Sequence, residues 1–183
     1  RGGDAPDRDA GNPGRRGDPV ILRDATAADV PAIAAIWNPI VRDTAITFWP
    51  DERSHDQIAA LIAERQAAGQ AFIVAADGDR LMGFSTYSQF RGGAGYARSM
   101  EHTIHAAPDA RGRGVGRAML TAVQDHARQR GHRILIGGIT GSNEGSIAFH
   151  RAMGYAEWGR IPAAGWKFGQ FHDLVLMGRD LSA

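Results

Sequence analysis

The 183-residue sequence contains no cysteine, which excludes disulfide bonds, thiolate metal sites and a cysteine nucleophile. It also lacks any apolar run of the roughly 18–20 residues that a membrane-spanning helix needs. Charge of one sign is not in excess, because the formal net charge is +1. Neither nucleic acid nor an anionic membrane is therefore an expected partner. These absences agree with a globular protein of the cytoplasm.

Residues 1–19 are rich in Gly, Pro, Asp and Arg and contain no Val or Leu. Such a segment cannot bury enough apolar surface to offset the entropy lost on ordering. It also lacks the apolar centre of a signal peptide. We therefore predict a flexible N-terminal tail over residues 1–19 and a single folded domain over residues 20–183.

The pattern of apolar residues predicts the order of the elements after the tail. A strand begins near Val20 and is followed by two helices, the second over residues 54–68. Three strands come next, then a helix over residues 114–130, a strand, a further helix and one or two final strands. Strands mixed with helices in this way indicate a mixed sheet with helices on its faces.

The segment "RGRGVGR" at residues 111–117 lies between a predicted strand and a predicted helix. A phosphate-binding loop of nucleoside triphosphatases requires Lys and then Ser or Thr after the last glycine, where this chain has Arg117 and Ala118. A dinucleotide-binding fingerprint fails as well, because its third glycine would fall on Arg117. The spacing that remains is Arg-x-x-Gly-x-Gly.

This spacing suits the binding of an anion. Glycines leave the backbone N–H groups of residues 111–117 free to turn toward one point. The same groups lie at a helix N-terminus, where negative charge is stabilised. A pyrophosphate is the expected ligand, and Arg111, Arg113 and Arg117 can add positive charge. A solvated basic turn, with glycines chosen for backbone geometry, is the alternative that the loop alone leaves open.

Arg111-x-x-Gly114-x-Gly116 between a strand and a long helix resembles motif A of the GNAT superfamily of N-acetyltransferases, which binds the pyrophosphate of acetyl-CoA. The later segment "SNEGSIAFHRAMGY" resembles the next element of that superfamily. The resemblance implies the GNAT fold, of class α/β (α+β), with a mixed, mostly antiparallel central sheet and helices on both faces. It also implies acetyl-CoA as the acetyl donor, without a metal.

Three further segments, "IWNPIVRDTAITF", "FRGGAGYARSMEHTIH" and "GWKFGQFHDLVLM", resemble the phosphinothricin and methionine sulfone/sulfoximine acetyltransferases. This subfamily acetylates the α-amino group of small amino-acid analogues, so the resemblance implies a small-molecule amine as substrate. It also implies a homodimer. The segments "NPI" and "FWPDERS" depart from the subfamily on the expected substrate side, so the resemblance does not give the side-chain preference.

The resemblance assigns two catalytic residues. Glu101 matches the proposed general base, and His150 stands where much of the superfamily has a tyrosine that protonates the leaving thiolate. His150 could donate that proton or help to deprotonate the amine, since its ordinary pKa is about 6.5. Tyr155 is the alternative acid, although its pattern favours packing on the sheet.

The remaining assignments concern the acetyl donor and the substrate. The expected donor-binding residues are Ile104, His105, Ala106, Arg111, Gly112, Arg113, Gly114, Val115, Gly116, Arg117, Asn143 and Ser146. The expected substrate-binding residues are Phe48, Arg91 and Tyr96, of which Arg91 can pair with a carboxylate or phosphinate. Trp49 could form a wall of the side-chain pocket together with Phe48, but for Trp49 we favour loop packing or burial in the core. Lys167 and Phe168 are expected at the pocket or at a subunit contact.

These residues together predict an acetyl-CoA-dependent N-acetyltransferase that modifies the α-amino group of a small amino acid or analogue. Two alternatives remain at this point. A protein N-terminal acetyltransferase would require a peptide groove in place of Arg91 and Tyr96. A non-catalytic acyl-CoA-binding module would keep the loop without the chemistry, and the presence of Glu101 and His150 argues against it.

Overall fold

The structure is a computed structural model, and it describes residues 20–182. The tail predicted over residues 1–19 lies outside this range. The elements, in chain order, are β1 (Ile21–Asp24), α1 (Val30–Asp43), α2 (His55–Ala67), β2 (Phe72–Asp77), β3 (Arg80–Gln89), β4 (Ser99–Ala106), α3 (Val115–Gln129), β5 (Ile134–Thr140), α4 (Glu144–Ala152), β6 (Ala156–Lys167) and β7 (Gln170–Asp180). This order of strands and helices is the one that the sequence predicts.

The strands form one seven-stranded sheet in the order β1-β2-β3-β4-β5-β7-β6. Every neighbouring pair is antiparallel except β4 and β5, which are parallel. A parallel pair requires a crossover connection, and α3 supplies it between β4 and β5. The prediction of a mixed, mostly antiparallel sheet is therefore confirmed.

Helices cover both faces of the sheet. Helices α1 and α2 pack on one face, where Trp37 and Ile58 join Phe84 of β3 in an apolar cluster. Helix α3 packs on the other face, where Val123 contacts a cluster that includes Leu135 of β5. Helix α4 lies on the same side as α3 and is joined to it through the buried cluster around Tyr155. The predicted layering is confirmed.

Local signals set the helix boundaries close to the predicted positions. The second helix begins after Ser54, whose Oγ accepts from the backbone N–H of Gln57, while Gln57 Oε1 accepts from the N–H of Ser54. This reciprocal pair satisfies two amides at the start of the helix. The helix predicted over residues 114–130 is α3, which begins one residue later and ends one residue earlier.

Strands β4 and β5 separate halfway along their length. Their pairing ends with His102 opposite Gly137. Beyond this point β4 stays paired with β3 as far as Ala106, and β5 stays paired with β7 as far as Thr140. The two strands therefore enclose a wedge-shaped opening in the middle of the sheet.

The side chains of β4 alternate between the two faces around this opening. His105 contacts the rings of Trp37 and Phe84, so its face of the strand is the one covered by α1. Glu101 shares that face. His102 lies on the opposite face and contacts α4. Among the described residues, no helix is long and apolar enough to cross a membrane.

Candidate active site

An open cavity of about 610 Å³ lies at the opening between β4 and β5. Residues from both faces of the sheet line it, together with the loop between α1 and α2. Several residues predicted for the site are brought together here, namely Phe48, Glu101, Ile104, His105, Asn143, Ser146 and His150. Size, concavity and convergent polar groups are typical of a small-molecule site.

Glu101 lies on β4 directly opposite Ser88 of β3, with its carboxylate half-buried in the cavity. Burial raises the pKa of Glu101 above its ordinary value, because the charged form loses solvation. Among the described residues that line the cavity, it is the only acid. A raised pKa makes this carboxylate a stronger base than one in water.

His150 is buried on α4, at the other side of the opening. Its Nδ1 lies 2.7 Å from the backbone carbonyl oxygen of Ser146. A carbonyl only accepts, so Nδ1 carries the proton and Nε2 of the neutral ring is an acceptor. Burial also lowers the pKa of His150. The ring is therefore neutral and presents Nε2 as a hydrogen-bond acceptor, and the protonated form that could donate to a thiolate is disfavoured.

His102 stacks on His150 and was not predicted. The two ring centroids lie 5.1 Å apart with an interplanar angle of 14°. Neither ring nitrogen of His102 has a hydrogen-bond partner within residues 20–182, and burial, followed by the charge of His150, lowers its pKa to about 3. A Cβ on Gly137 would lie 2.9 Å from His102 Nε2 and 3.2 Å from His150 Nε2. Gly137 therefore leaves space that both imidazoles face.

Tyr155 packs as the sequence pattern indicates. The side chain is buried, and its ring meets those of His102 and His150 edge to face. Its hydroxyl oxygen accepts from Gln124 Nε2 at 3.2 Å, and burial raises the pKa of Tyr155 to about 12. Tyr155 lies outside the described set of cavity-lining residues. The Tyr155 side chain therefore packs against the two imidazoles and does not line the opening.

The loop before α3 presents free backbone amides. Gly112 and Gly114 have φ of +73° and +75°, which turns the chain tightly into the helix. Within residues 20–182, the N–H groups of Val115, Gly116 and Arg117 have no backbone partner. They form the N-terminus of a 15-residue helix, whose dipole favours an anion.

The arginines of this loop differ in their surroundings. Arg113 Nη2 lies 2.6 Å from Asp77, so its charge is already paired. The Arg113 N–H is also used, since it donates to the carbonyl of Ala110. Arg111 and Arg117 are exposed beside the free amides. The structure therefore leaves two arginine side chains, rather than three, open to an anion.

The open edge of β4 runs from Thr103 to Ala106. Alternate residues of a strand direct their backbone groups to the same edge, which is compatible with the prediction that Ile104 and Ala106 act together. The His105 ring packs against Trp37 and Phe84, where burial lowers its pKa to about 4. Its side chain is thus part of the aromatic packing under α1.

Asn143 and Ser146 lie where α4 begins. The backbone N–H of Ser146 donates to Asn143 Oδ1 at 3.2 Å, which caps the helix. The amide Nδ2 of Asn143 makes no hydrogen bond within the described part of the chain, and the residue lines the cavity. Capping therefore leaves one donor group of Asn143 available to a ligand.

The predicted substrate residues are divided by the structure. Phe48 lines the cavity and covers Gly165 of β6. Arg91 and Tyr96 lie in the exposed loop between β3 and β4, with the Arg91 guanidinium 5.7 Å from the Tyr96 ring centroid. Both residues are outside the described set that lines the cavity. Their role in substrate binding stays a prediction.

The structure decides between the two interpretations of Trp49 and gives Lys167 a role that was not predicted. Burial of Trp49 in the core is wrong, because the residue is 60% exposed and lines the cavity. Lys167 is buried, and its Nζ donates to the backbone carbonyls of Val41 and Thr47 at 2.6 and 2.8 Å. It therefore ties the loop that carries Phe48 and Trp49 to β6. The proline and aromatic residues of this segment are visible in the sequence, but tertiary contacts such as those of Lys167 set the path of the loop.

Comparison with known proteins agrees with this geometry. The family model described as the Acetyltransferase (GNAT) family matches residues 35–155. That range contains Glu101, the loop before α3, and His150. The chain therefore belongs to the GNAT family of acetyltransferases. Within residues 20–182, no group of three or more His, Cys, Asp or Glu side chains is placed to hold a metal ion.

The similar proteins are more specific than the family. The chain is 32% identical over 159 residues to the L-amino acid N-acyltransferase MnaT of Escherichia coli, covering 86% of this chain and 92% of MnaT. It is 33% identical over 164 residues to an L-methionine sulfoximine/L-methionine sulfone acetyltransferase of Pseudomonas aeruginosa, covering 87% and 94%.

Among solved structures, the chain is similar to a GNAT superfamily phosphinothricin acetyltransferase from Sinorhizobium meliloti in complex with acetyl-CoA. The TM-score is 0.84 and the identity 32%, over 88% of each chain. The likeness extends along nearly the whole described chain. The GNAT fold that the sequence predicts is thus confirmed.

Proposed function

We propose that this enzyme transfers the acetyl group of acetyl-CoA to the α-amino group of a small amino acid or amino-acid analogue. The observation that carries the proposal is the cavity at the β4–β5 opening. In this cavity the half-buried Glu101 carboxylate lies next to an open strand edge. The free amides of the α3 N-terminus follow further along the chain, after the same strand. The names of the similar proteins support the choice of amino acids.

The residues present fit acetyl-CoA. Orphaned N–H groups at a helix N-terminus suit a diphosphate, and an open strand edge suits the amide groups of a pantetheine arm. The residues that would hold it are Ile104, Ala106, Arg111, Gly112, Gly114, Val115, Gly116, Arg117, Asn143 and Ser146. Bound there, acetyl-CoA would supply the thioester from which the acetyl group is transferred.

The chain's own residues would then serve the amine. Glu101, directly or through a water, accepts a proton from the substrate ammonium, which leaves a nucleophilic amine in the cavity. The new bond would join this nitrogen to the acetyl carbon as the bond between that carbon and sulfur breaks, and CoA would leave as the thiol, its sulfur taking up the proton that the nitrogen loses. His150 Nε2 offers a second acceptor at the other side of the opening. Holding both reactants in one cavity lowers the entropic part of the barrier.

A thiol-release assay tests the proposed function. With acetyl-CoA as donor, we expect saturable release of CoA thiol with free amino acids such as methionine sulfone, methionine sulfoximine or phosphinothricin, and product mass increased by one acetyl group. Peptides that begin with the same residues should be poor acceptors. Turnover of peptides but not of free amino acids would favour a protein N-terminal acetyltransferase.

A non-catalytic acyl-CoA-binding module is distinguished in the same assay. Such a module would bind acetyl-CoA without thiol release for every amine in the panel. The cavity argues against it, because a module that only binds has no need of a half-buried carboxylate beside the open strand edge. A rate of thiol release that is the same with and without every amine tested would also contradict the proposal.

The proposal includes a homodimer, as the family resemblance implies. The hairpin of β6 and β7 exposes large apolar side chains that a second copy could cover, namely Trp158, Ile161, Trp166, Phe168 and Phe171. Light scattering should give a mass of two chains. A mass of one chain at micromolar concentration would contradict this part of the proposal and leave the chemistry untouched.

A further inference from the structure

The cavity contains a cationic group that the proposed chemistry does not use. Arg53 lies in the loop between α1 and α2, and its guanidinium carbon is 4.6 Å from the ring centroid of Trp37 and 4.8 Å from that of Trp49. Its Nε is buried and has no hydrogen-bond partner among residues 20–182. A buried cationic donor without an acceptor is costly. An acceptor that comes from outside the chain would remove this cost.

The position of Arg53 is fixed before any ligand binds. The side-chain amide of Asn38 in α1 makes two hydrogen bonds to the backbone of Arg53. Asn38 Nδ2 donates to the Arg53 carbonyl, and the Arg53 N–H donates to Asn38 Oδ1, each at 3.0 Å. The two indole rings limit the side chain in addition. A side chain that is already ordered loses little entropy when it binds a ligand. These contacts are typical of a built binding site.

The surroundings of Arg53 are positive. Arg65 of α2 also lines the cavity. Burial lowers the pKa of Arg53 most, and the positive charge of Arg65 lowers it further. Arg65 is paired with Glu64 at 2.7 Å, whereas in the described chain no carboxylate pairs with Arg53. Glu101 is the only acid among the described residues that line the same cavity. The cavity therefore offers one negative group and an unpaired positive one.

This arrangement is complementary to an acceptor that carries an amine and an oxyanion. We propose that Arg53 binds an oxyanion of the acceptor, a carboxylate or a phosphinate, while Glu101 serves its amino group. The inference rests on the proposed function and specifies its substrate class further, since an amine without an acidic group would be a poor acceptor. Arginine matches such oxyanions because its planar fork can donate two parallel hydrogen bonds.

The test uses Arg53→Met, which keeps much of the aliphatic stem and removes the charge. For amino-acid acceptors we expect KM to rise at least about 30-fold, as for other truncated charge pairs. We expect kcat to change little, and the Kd of acetyl-CoA to stay the same. Arg53→Lys should fall between the two proteins, because it keeps the charge without the fork. The matched control, Arg128→Met on the exposed surface of α3, should behave as the wild type.

Acceptor analogues identify which oxyanion is bound. If it is the α-carboxylate, wild type and Arg53→Met should have equal kcat/KM for the α-carboxamide of the acceptor. If it is a side-chain group, they should be equal for an acceptor with a neutral side chain. Either pattern supports the inference. Equal kcat/KM of the two proteins for every acidic acceptor would overturn it. An equal loss for all acceptors, with or without an anion, would also overturn it, since that indicates a structural role.

Failure of this inference can be told apart from failure of the proposed function. Calorimetric titration of the same amino acids into protein saturated with CoA measures binding without turnover. Binding that weakens in Arg53→Met, with no thiol release from the wild type, would refute the proposed function and retain the role of Arg53. Thiol release by the wild type, with binding and KM that do not depend on Arg53, would retain the function and refute the inference.

Discussion

Replacing Glu101 with Gln should lower kcat for amino-acid acetylation by at least about 100-fold, the contribution typical of a general base. The amide keeps the size of the side chain and cannot accept the ammonium proton. The Kd of acetyl-CoA should change little, since the free amides of the α3 N-terminus lie in a different part of the chain. Thiol release measured at saturating amino acid, with calorimetry for acetyl-CoA, checks both expectations.

The pH dependence of the wild type gives a second readout for the same residue. Burial raises the pKa of Glu101 above its ordinary 4.5, and only the carboxylate can act as the base. Activity should therefore be present above this raised pKa and be lost as the pH falls through it. The acidic limb should be absent from the residual activity of Glu101→Gln.

The control for Glu101 is Asp125→Asn, which makes the same chemical change on the exposed surface of α3. It should leave kcat and its pH profile unaltered. Unchanged turnover in Glu101→Gln would remove this carboxylate from the mechanism. That result would not contradict the binding of acetyl-CoA at the β4–β5 opening, because calorimetry measures the binding of acetyl-CoA separately.

Replacing Gly114 with Val should weaken acetyl-CoA binding by about 5- to 30-fold, since roughly 1–2 kcal/mol of strain is expected for an L-residue in the left-handed region. Gly114 has φ of +75° immediately before α3. A β-branched residue would leave that conformation and move the amides that follow it away from the diphosphate. Titration calorimetry with acetyl-CoA measures the loss.

The effect of Gly114→Val should be confined to the loop. A Cβ at this position meets no atom of the described chain within 4 Å, so the fold itself has room for the side chain. Gly92→Val is the matched control, because Gly92 has the same free space and no positive φ. Equal acetyl-CoA affinity in Gly114→Val and wild type would refute the assignment of this loop.

Local patterns predicted what local forces decide. The helix predicted over residues 114–130 follows from apolar spacing and a glycine at each end, and both are properties of the segment itself. The loop "RGRGVGR" likewise marks its own conformation, since Gly112 and Gly114 adopt positive φ in the structure. Glu101 and His150 were assigned from the family resemblance, and in the structure both residues line the same cavity.

Long-range contacts decided what the sequence did not predict. The opening between β4 and β5 depends on where strand pairing ends, at His102 and Gly137, and the two residues are 35 positions apart. His102 follows Glu101 directly, yet alternation places it on the other face, where α4 brings His150 against it. Arg53 lies in a loop without periodicity, so only the contacts with Trp37 and Asn38 show its position.

A crystal structure of the protein with acetyl-CoA tests the central claim most directly, namely that the opening in the sheet and the turn before α3 position the acetyl donor. The diphosphate should accept hydrogen bonds from the amides of Val115, Gly116 and Arg117, and the thioester should lie between β4 and β5, on the side of Glu101. Acetyl-CoA bound at another surface, with this turn and opening empty, would contradict the account.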